Sequence, residues 1–179
     1  LPMYYLTRFT KKHVTVSLSG DGADELFMGY ETYLANKLKG ISSLFPDFLT
    51  KNLSLMTNLF LPVSHKKISF DYKLKQFLSG CSLSNIEAHF WWRNIFPDNF
   101  KKEAFINYNE KLISPLVRYK KFFSEVSNCD FIDQTSYVDI NTWLVDNVLV
   151  KLDRTSMSNS LECRSPFLSH KIVEFAASL

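Results

Sequence analysis

Glycine is scarce in this sequence, at 5 of 179 residues, while phenylalanine and tyrosine number 16 and 8. A turn-rich β-sandwich of this size would spend several times more glycine on its turns, so a mainly helical chain is expected. Cysteine is sparse too. Cys81, Cys129 and Cys163 form no CxxC or CxxH pair, and an odd, dispersed set fits reduced thiols in a cytosol better than a disulfide framework or a zinc site. No apolar run approaches the roughly 18 residues of a membrane span. The start, Leu1-Pro2-Met3-Tyr4-Tyr5, has no basic segment leading into an apolar one, as a signal peptide would. A cytoplasmic protein without a membrane partner is the expectation. Charge of one sign is missing as well: 21 basic residues are scattered among 18 acidic ones, which gives no block for nucleic acid to read. Neither a Walker A loop nor GxGxxG occurs. What remains, 46% apolar and 22% charged, excludes disorder and describes one globular domain or a large piece of one.

Several elements can be read along the chain. Residues 2–12 fit a short helix, with Pro2 at its first turn and Lys11 and Lys12 at its end. His13-Val14-Thr15-Val16-Ser17-Leu18 alternates with period two and reads as the one convincing strand. A lone strand leaves its own donors and acceptors unmet. Its sheet partners are therefore expected outside these residues, and the chain is expected to be a fragment that associates through a bare edge. Ala23 to Lys39 predicts one helix stopping at Gly40, and residues 41–126 read as short helices punctuated by Pro46, Pro62, Gly80-Cys81-Ser82, Pro97 and Pro115. The aromatic segments between them, such as Phe90-Trp91-Trp92, read as interhelical packing. A long helix is expected from about Gln134, and a last one from His170 with Ser169 as N-cap.

Two stretches could carry chemistry. Three of the glycines (Gly20, Gly22, Gly29) lie within ten residues, between the strand and a helix. A strand, a glycine turn and a helix start present unpaired N–H groups, a seat for phosphate or another anion. The turn carries Asp21, Asp24 and Glu25. Acids there also stabilise the helix dipole unaided, so electrostatics leaves two readings open: a helix-end charge, or a carboxylate joined through Mg²⁺ to substrate phosphates. In the second stretch, Lys151, Arg154, Ser158, Glu162 and Ser165 recur every three or four residues and would share one helical face. A solvated charged face and a ligand-facing row both fit that spacing.

The residues themselves resemble a family. Ser19-Gly20-Asp21-Gly22-Ala23-Asp24-Glu25-Leu26-Phe27-Met28-Gly29-Tyr30 is similar to the SGDGxDELFGGY element of the glutamine-hydrolysing asparagine synthetases, and residues 146–168, with Lys151-Leu152-Asp153-Arg154-Thr155-Ser156-Met157 and Ser160-Leu161-Glu162-Cys163-Arg164-Ser165-Pro166-Phe167-Leu168, resemble their second signature. Residues 41–130 match only in helical character. Met28 stands where the family usually has Gly, adding a side chain beside the loop, and Ser169 where it usually has Asp.

The resemblance implies the C-terminal part of an α/β PP-loop ATP pyrophosphatase domain. The glutaminase domain and the SGGxDS pyrophosphate loop are absent from this chain, so the 179 residues are expected to be inactive alone. It further implies ATP-dependent amidation of aspartate through β-aspartyl-AMP, with ammonia from glutamine, in a cytoplasmic ligase. Aspartate, ATP and ammonia would be its small-molecule partners, and a homodimer stays open. By match to the motifs, Ser19, Gly20 and Asp21 line the nucleotide and acyl-adenylate, and Asp24 is the Mg²⁺ ligand. Arg154 stabilises charge at the α-phosphate or acyl centre. Glu162 and Arg164 orient Arg154 or pair with each other. Two rivals remain: the same chemistry on another carboxylate, and a non-catalytic helical remnant.

Overall fold

The computed structural model describes residues 1–42, 70–94, 96, 98–106 and 114–179. In chain order its elements are α1 (Pro2–Thr10), β1 (Val16–Leu18), α2 (Ala23–Leu26), α3 (Glu31–Ser42), α4 (Phe70–Cys81), α5 (Asn85–Arg93), α6 (Asp98–Ala104), α7 (Pro115–Glu125), α8 (Phe131–Asp139), a π-helical segment (Ile140–Leu149), α9 (Val150–Met157), β2 (Glu162–Arg164), a 3₁₀ turn (Pro166–Leu168) and α10 (His170–Ala176). The mainly helical expectation holds. Contacts divide the chain into two units, residues 1–30 with 133–179, and residues 31–132.

The first unit corrects the reading of a single strand. β1 pairs in parallel with β2, in the register Val16↔Glu162, Ser17↔Cys163 and Leu18↔Arg164. Glu162 N–H donates to Thr15 O and Ser19 N–H to Arg164 O, so the ladder continues past both ends of the short strands. The sheet partner therefore lies inside the chain. The charged row that includes Glu162 is not one helix: α9 ends at Met157, and Ser160 at φ 54° reverses the chain into β2. Leu161 N–H donates to Ser156 O, the six-to-one bond of a Schellman turn, a place where glycine is usual.

The long helix expected from Gln134 exists, and its middle is π-helical. Thr142 Oγ1 donates to Val138 O at 2.6 Å and Asn141 Nδ2 to Tyr137 O at 2.8 Å, side-chain bonds back over one turn of the kind that bend helices. Val138, Leu144, Val148 and Leu152 face the core with Leu26 and Leu161. α1 is tied to α9 through buried Thr7, whose hydroxyl donates to Thr155 O at 2.9 Å and accepts from Asn159 Nδ2 at 3.0 Å. Ser169 occupies the N-cap of α10 without a side-chain bond to it; its carbonyl accepts from Ile172 and Val173 N–H.

Two further expectations change. The helix read as Ala23 to Lys39 is broken, because α2 stops at Leu26 and Met28 turns left-handed at φ 56°. α3 then runs through Gly40, the expected stop, to Ser42. In the second unit, Gly80 lies inside α4 rather than in a turn. A Cβ there would meet Trp92 Nε1 at 2.4 Å, so this glycine exists for the indole that covers it, and Trp92 Nε1 donates to Gln76 O at 3.0 Å. Pro115 begins α7 as read, after Ser114. Pro46, Pro62 and Pro97 lie outside the described residues.

The second unit packs around Tyr33, Leu78, Ala88, Tyr119 and Phe123. The aromatic segments do serve as packing. His89 is fully buried, accepts at Nδ1 from Asn36 Nδ2 at 2.9 Å, and meets the edge of Phe123. Lys39 Nζ donates to Cys81 O and Leu83 O at 3.1 and 2.8 Å, closing carbonyls at the end of α4. Ser84 caps α5 by accepting from Glu87 N–H, and its hydroxyl donates to Glu87 Oε2 at 2.9 Å.

Candidate active site

The loop after β1 is shaped by its own polar groups. Ser19 Oγ donates to the Asp21 carboxylate and accepts from Asp21 N–H at 3.3 Å. Ala23 N–H then closes onto Gly20 O at 3.3 Å. A Cβ at Gly20 would meet nothing within 4 Å, so this face of the loop is open to a ligand. Ser19 and Asp21 are half-buried beside it.

Gly22 is different. Its φ is 94°, a conformation that favours glycine, and a Cβ there would meet Leu168 Cδ2 at 2.3 Å. Phe167 packs edge-on against Phe27 with ring centroids 6.2 Å apart. Between the strands, Ser17 Oγ lies 3.2 Å from Cys163 Sγ. The two motifs, more than a hundred residues apart, are thus one packed structure: the end of the second lies on the glycine turn of the first.

α2 carries two acids with opposite surroundings. Asp24 is exposed and has no ion pair among the described residues. Its neighbour Glu25 is 1% exposed. Tyr30 OH donates to Glu25 Oε1 at 2.8 Å, and Ser136 Oγ donates to Glu25 O at 2.8 Å, which ties α2 to α8. Gly29 N–H donates to Asp24 O at 2.9 Å, the second six-to-one Schellman bond of this unit. Met28 sits in its left-handed position. That explains why a glycine is expected there: the departure to Met costs backbone strain.

The remaining candidates lie on α9 and β2. Lys151 and Arg154 are exposed, and Arg154 stands in the last turn of its helix. Its guanidinium makes no ion pair among the described residues. Glu162 makes no hydrogen bond or ion pair to it among the described residues. Arg164 Nε donates to Glu162 Oε1 at 2.7 Å, with both side chains more than half exposed, at 67% and 54%, and a pair so placed contributes little to stability. The ladder therefore brings Ser19 beside Arg164 and leaves Glu162 opposite Val16, and the structure gives no bond from Arg154 to Glu162 or Arg164.

Among the described residues, no group of three or more His, Cys, Asp and Glu side chains converges as a metal cage. No described helix is long and apolar enough to cross a membrane. Three participants were not legible as such. Glu25 was visible only as one of several acids, because a helix of four residues has no periodicity to show which side is buried. Leu168 was visible only as the end of the second signature and Ser136 gave no signal, since their contacts join distant segments.

A family model described as Asparagine synthase matches residues 1–179. The chain is 35% identical over its full length to asparagine synthetase [glutamine-hydrolyzing] 1 of Bacillus subtilis (strain 168), covering 27% of that protein. It is 32% identical over its full length to a Mycobacterium bovis protein provisionally assigned as a glutamine-hydrolysing asparagine synthetase, covering 26% of it. A Methanocaldococcus jannaschii protein with a similar provisional assignment is 32% identical over 87% of the chain and 28% of its own length. The chain thus spans about a quarter of the length of the curated relatives it matches. No solved structure matches it.

Proposed function

The chain belongs to the asparagine synthase family, and on that footing we propose that it works within a longer cytoplasmic enzyme that amidates aspartate to asparagine. In this reading ATP activates the β-carboxylate as β-aspartyl-AMP with release of pyrophosphate. Ammonia from glutamine then displaces AMP. The glutaminase and the pyrophosphate loop belong to other parts of that enzyme, which with this chain completes an α/β PP-loop domain.

The observation that carries the proposal is the joining of the two motifs: β1 pairs with β2, and Leu168 lies against the bare Gly22. Both halves of the reaction develop negative charge on phosphoryl and acyl oxygens, so catalysis is positioning and charge stabilisation more than covalent work by the protein. Ser19, Gly20 and Asp21 form the open face on which the nucleotide rests. Arg154, exposed and without an ion pair among the described residues, is available to an oxyanion, which a guanidinium holds through two parallel donors. Glu162 acts from β2 through its pair with Arg164.

Asp24 suits Mg²⁺, which commonly takes one or two carboxylates and completes its shell with water and substrate phosphates. A single exposed carboxylate lying where a Cβ on Gly29 would sit fits that mode better than a closed protein cage. When bound, the ion neutralises phosphate charge. Asp24 is the residue that would hold it.

The test is synthesis by the full-length enzyme with ammonia in place of glutamine, so that glutamine hydrolysis does not limit the rate. Asparagine and AMP should form one for one with aspartate as acceptor. Arg154→Ala should lower kcat by about 10² to 10³ with little change in KM for aspartate, as when a lost contact exists mainly in the transition state. Amidation of a different carboxylate, or wild-type kcat in Arg154→Ala, would overturn the acceptor or the assignment respectively.

A further inference from the structure

Gly29 does not need to be glycine for its backbone. Among the described residues the only glycine with positive φ is Gly22, so alanine can adopt the conformation at 29. The constraint comes from a side chain. A Cβ on Gly29 would lie 2.2 Å from Asp24 Oδ1 and 3.1 Å from Asp24 Cγ, where ordinary contact begins near 3.4 Å. The Asp24 carboxylate thus occupies the volume that any other residue at 29 would fill. The same residue holds the Asp24 main chain, through Gly29 N–H donating to Asp24 O at 2.9 Å.

We propose that Gly29 is a positioning residue, whose missing side chain sets where the Asp24 carboxylate meets the metal. The proposal rests on the reading of Asp24 as the Mg²⁺ ligand. The severe clash is with the free end of a side chain, which can swing aside, while the Asp24 Cα, at 3.3 Å from the added Cβ, need give only slightly, so Gly29→Ala keeps the fold and displaces the carboxylate by about 1 Å. Misplacement on that scale can cost about 10²-fold in a positioned reaction.

Mn²⁺, followed by electron paramagnetic resonance in the full-length enzyme with ATP and without aspartate, reads this directly. Gly29→Ala should weaken Mn²⁺ binding at least tenfold with an unchanged thermal midpoint, and raise the Mg²⁺ concentration needed for half-maximal synthesis more than it lowers kcat. In an Asp24→Asn background, Gly29→Ala should add nothing. Wild-type Mn²⁺ affinity in Gly29→Ala, with binding lost in Asp24→Asn, overturns the proposal and leaves the ligand intact. Wild-type affinity in Asp24→Asn overturns the ligand reading beneath it. An equal loss in both backgrounds shows Gly29 acting elsewhere, and also overturns the proposal. Should Gly29→Ala fail to fold, adding Asp24→Ala must restore folding by removing the clash; continued failure to fold rejects the mechanism.

Discussion

The two units bury opposite charges. The first hides Glu25 and Asp139, the second Lys39 and Arg93. In the second unit the buried bases finish packing: Lys39 donates to carbonyls near the end of α4, and Arg93 lies over the Tyr33 ring at 5.7 Å. In the first, buried Glu25 is held by Tyr30 one residue from an exposed Asp24. Glycine divides the same way. Gly80 admits the indole of Trp92, whereas Gly22 admits Leu168 from the other motif and Gly29 admits a carboxylate. The bare Cα of Gly80 serves packing within a helix, and that of Gly29 leaves room for the carboxylate of an exposed acid.

The sharpest way to break this contrast is to fill the glycines. Gly22→Ala should be the most damaging, because it combines a positive φ with a 2.3 Å approach to Leu168. Left-handed strain of about 1–2 kcal/mol and overpacking of about 1–3 kcal/mol suggest a loss of about 2–5 kcal/mol. Hydrogen exchange should show it as faster exchange at the Ser19 and Glu162 amides, which bond across the ladder. Gly80→Ala should cost less, about 0–2 kcal/mol, since about 1 kcal/mol of helix propensity offsets the crowding of about 1–3 kcal/mol. It should loosen α4 and α5 while leaving Mn²⁺ affinity intact; a matching loss of metal binding would erase the distinction between the units.

Met28→Gly runs the other way. Relief of the left-handed backbone at φ 56°, less the entropy a glycine loses on folding, should raise stability by up to about 1 kcal/mol, visible as a higher thermal midpoint. An unchanged or lower midpoint would mean that the Met28 side chain contributes more packing than its backbone costs.

The smallest effect belongs to Glu87 in the second unit. The Ser84 hydroxyl, and then Lys120, hold its carboxyl below the ordinary 4.5. Because the folded state lowers this value, the contribution is complete above about 4.5 and fades as pH falls through the lowered one. Glu87→Gln should flatten the fall of thermal midpoint with acid below pH 4.5 without touching catalysis. Steeper acid sensitivity would contradict the sign.

Much of the helical framework was legible because periodicity needs only neighbours: the face carrying Leu144 and Val148 on the helix expected from Gln134 is buried at both, while the buried Leu152 was not read as part of that face. β2 was not, since three residues, Glu162-Cys163-Arg164, with charged flanks continue a helical spacing and owe their extended form to pairing with distant Val16–Leu18. The break at Met28 was hidden because a left-handed turn usually announces itself by glycine. Gly80 misled for the converse reason: its partner Trp92 is twelve residues away and no local rule connects them. At the site, local bonding such as Ser19 to Asp21 was foreseeable in kind, whereas the meeting of Gly22 with Leu168 depends on the folded chain.

The central claim is that the joined motifs hold a metal-assisted nucleotide site with Asp24 as its carboxylate. Ammonia-driven synthesis by full-length Asp24→Asn tests it most directly, alongside glutaminase activity and thermal midpoint as checks on folding. A fall of about 10² or more, with both checks at wild-type values, is the expected result, since the variant weakens the magnesium link to phosphate. A fall of less than about threefold, the size of a few tenths of a kcal/mol from helix-end charge alone, would contradict the claim.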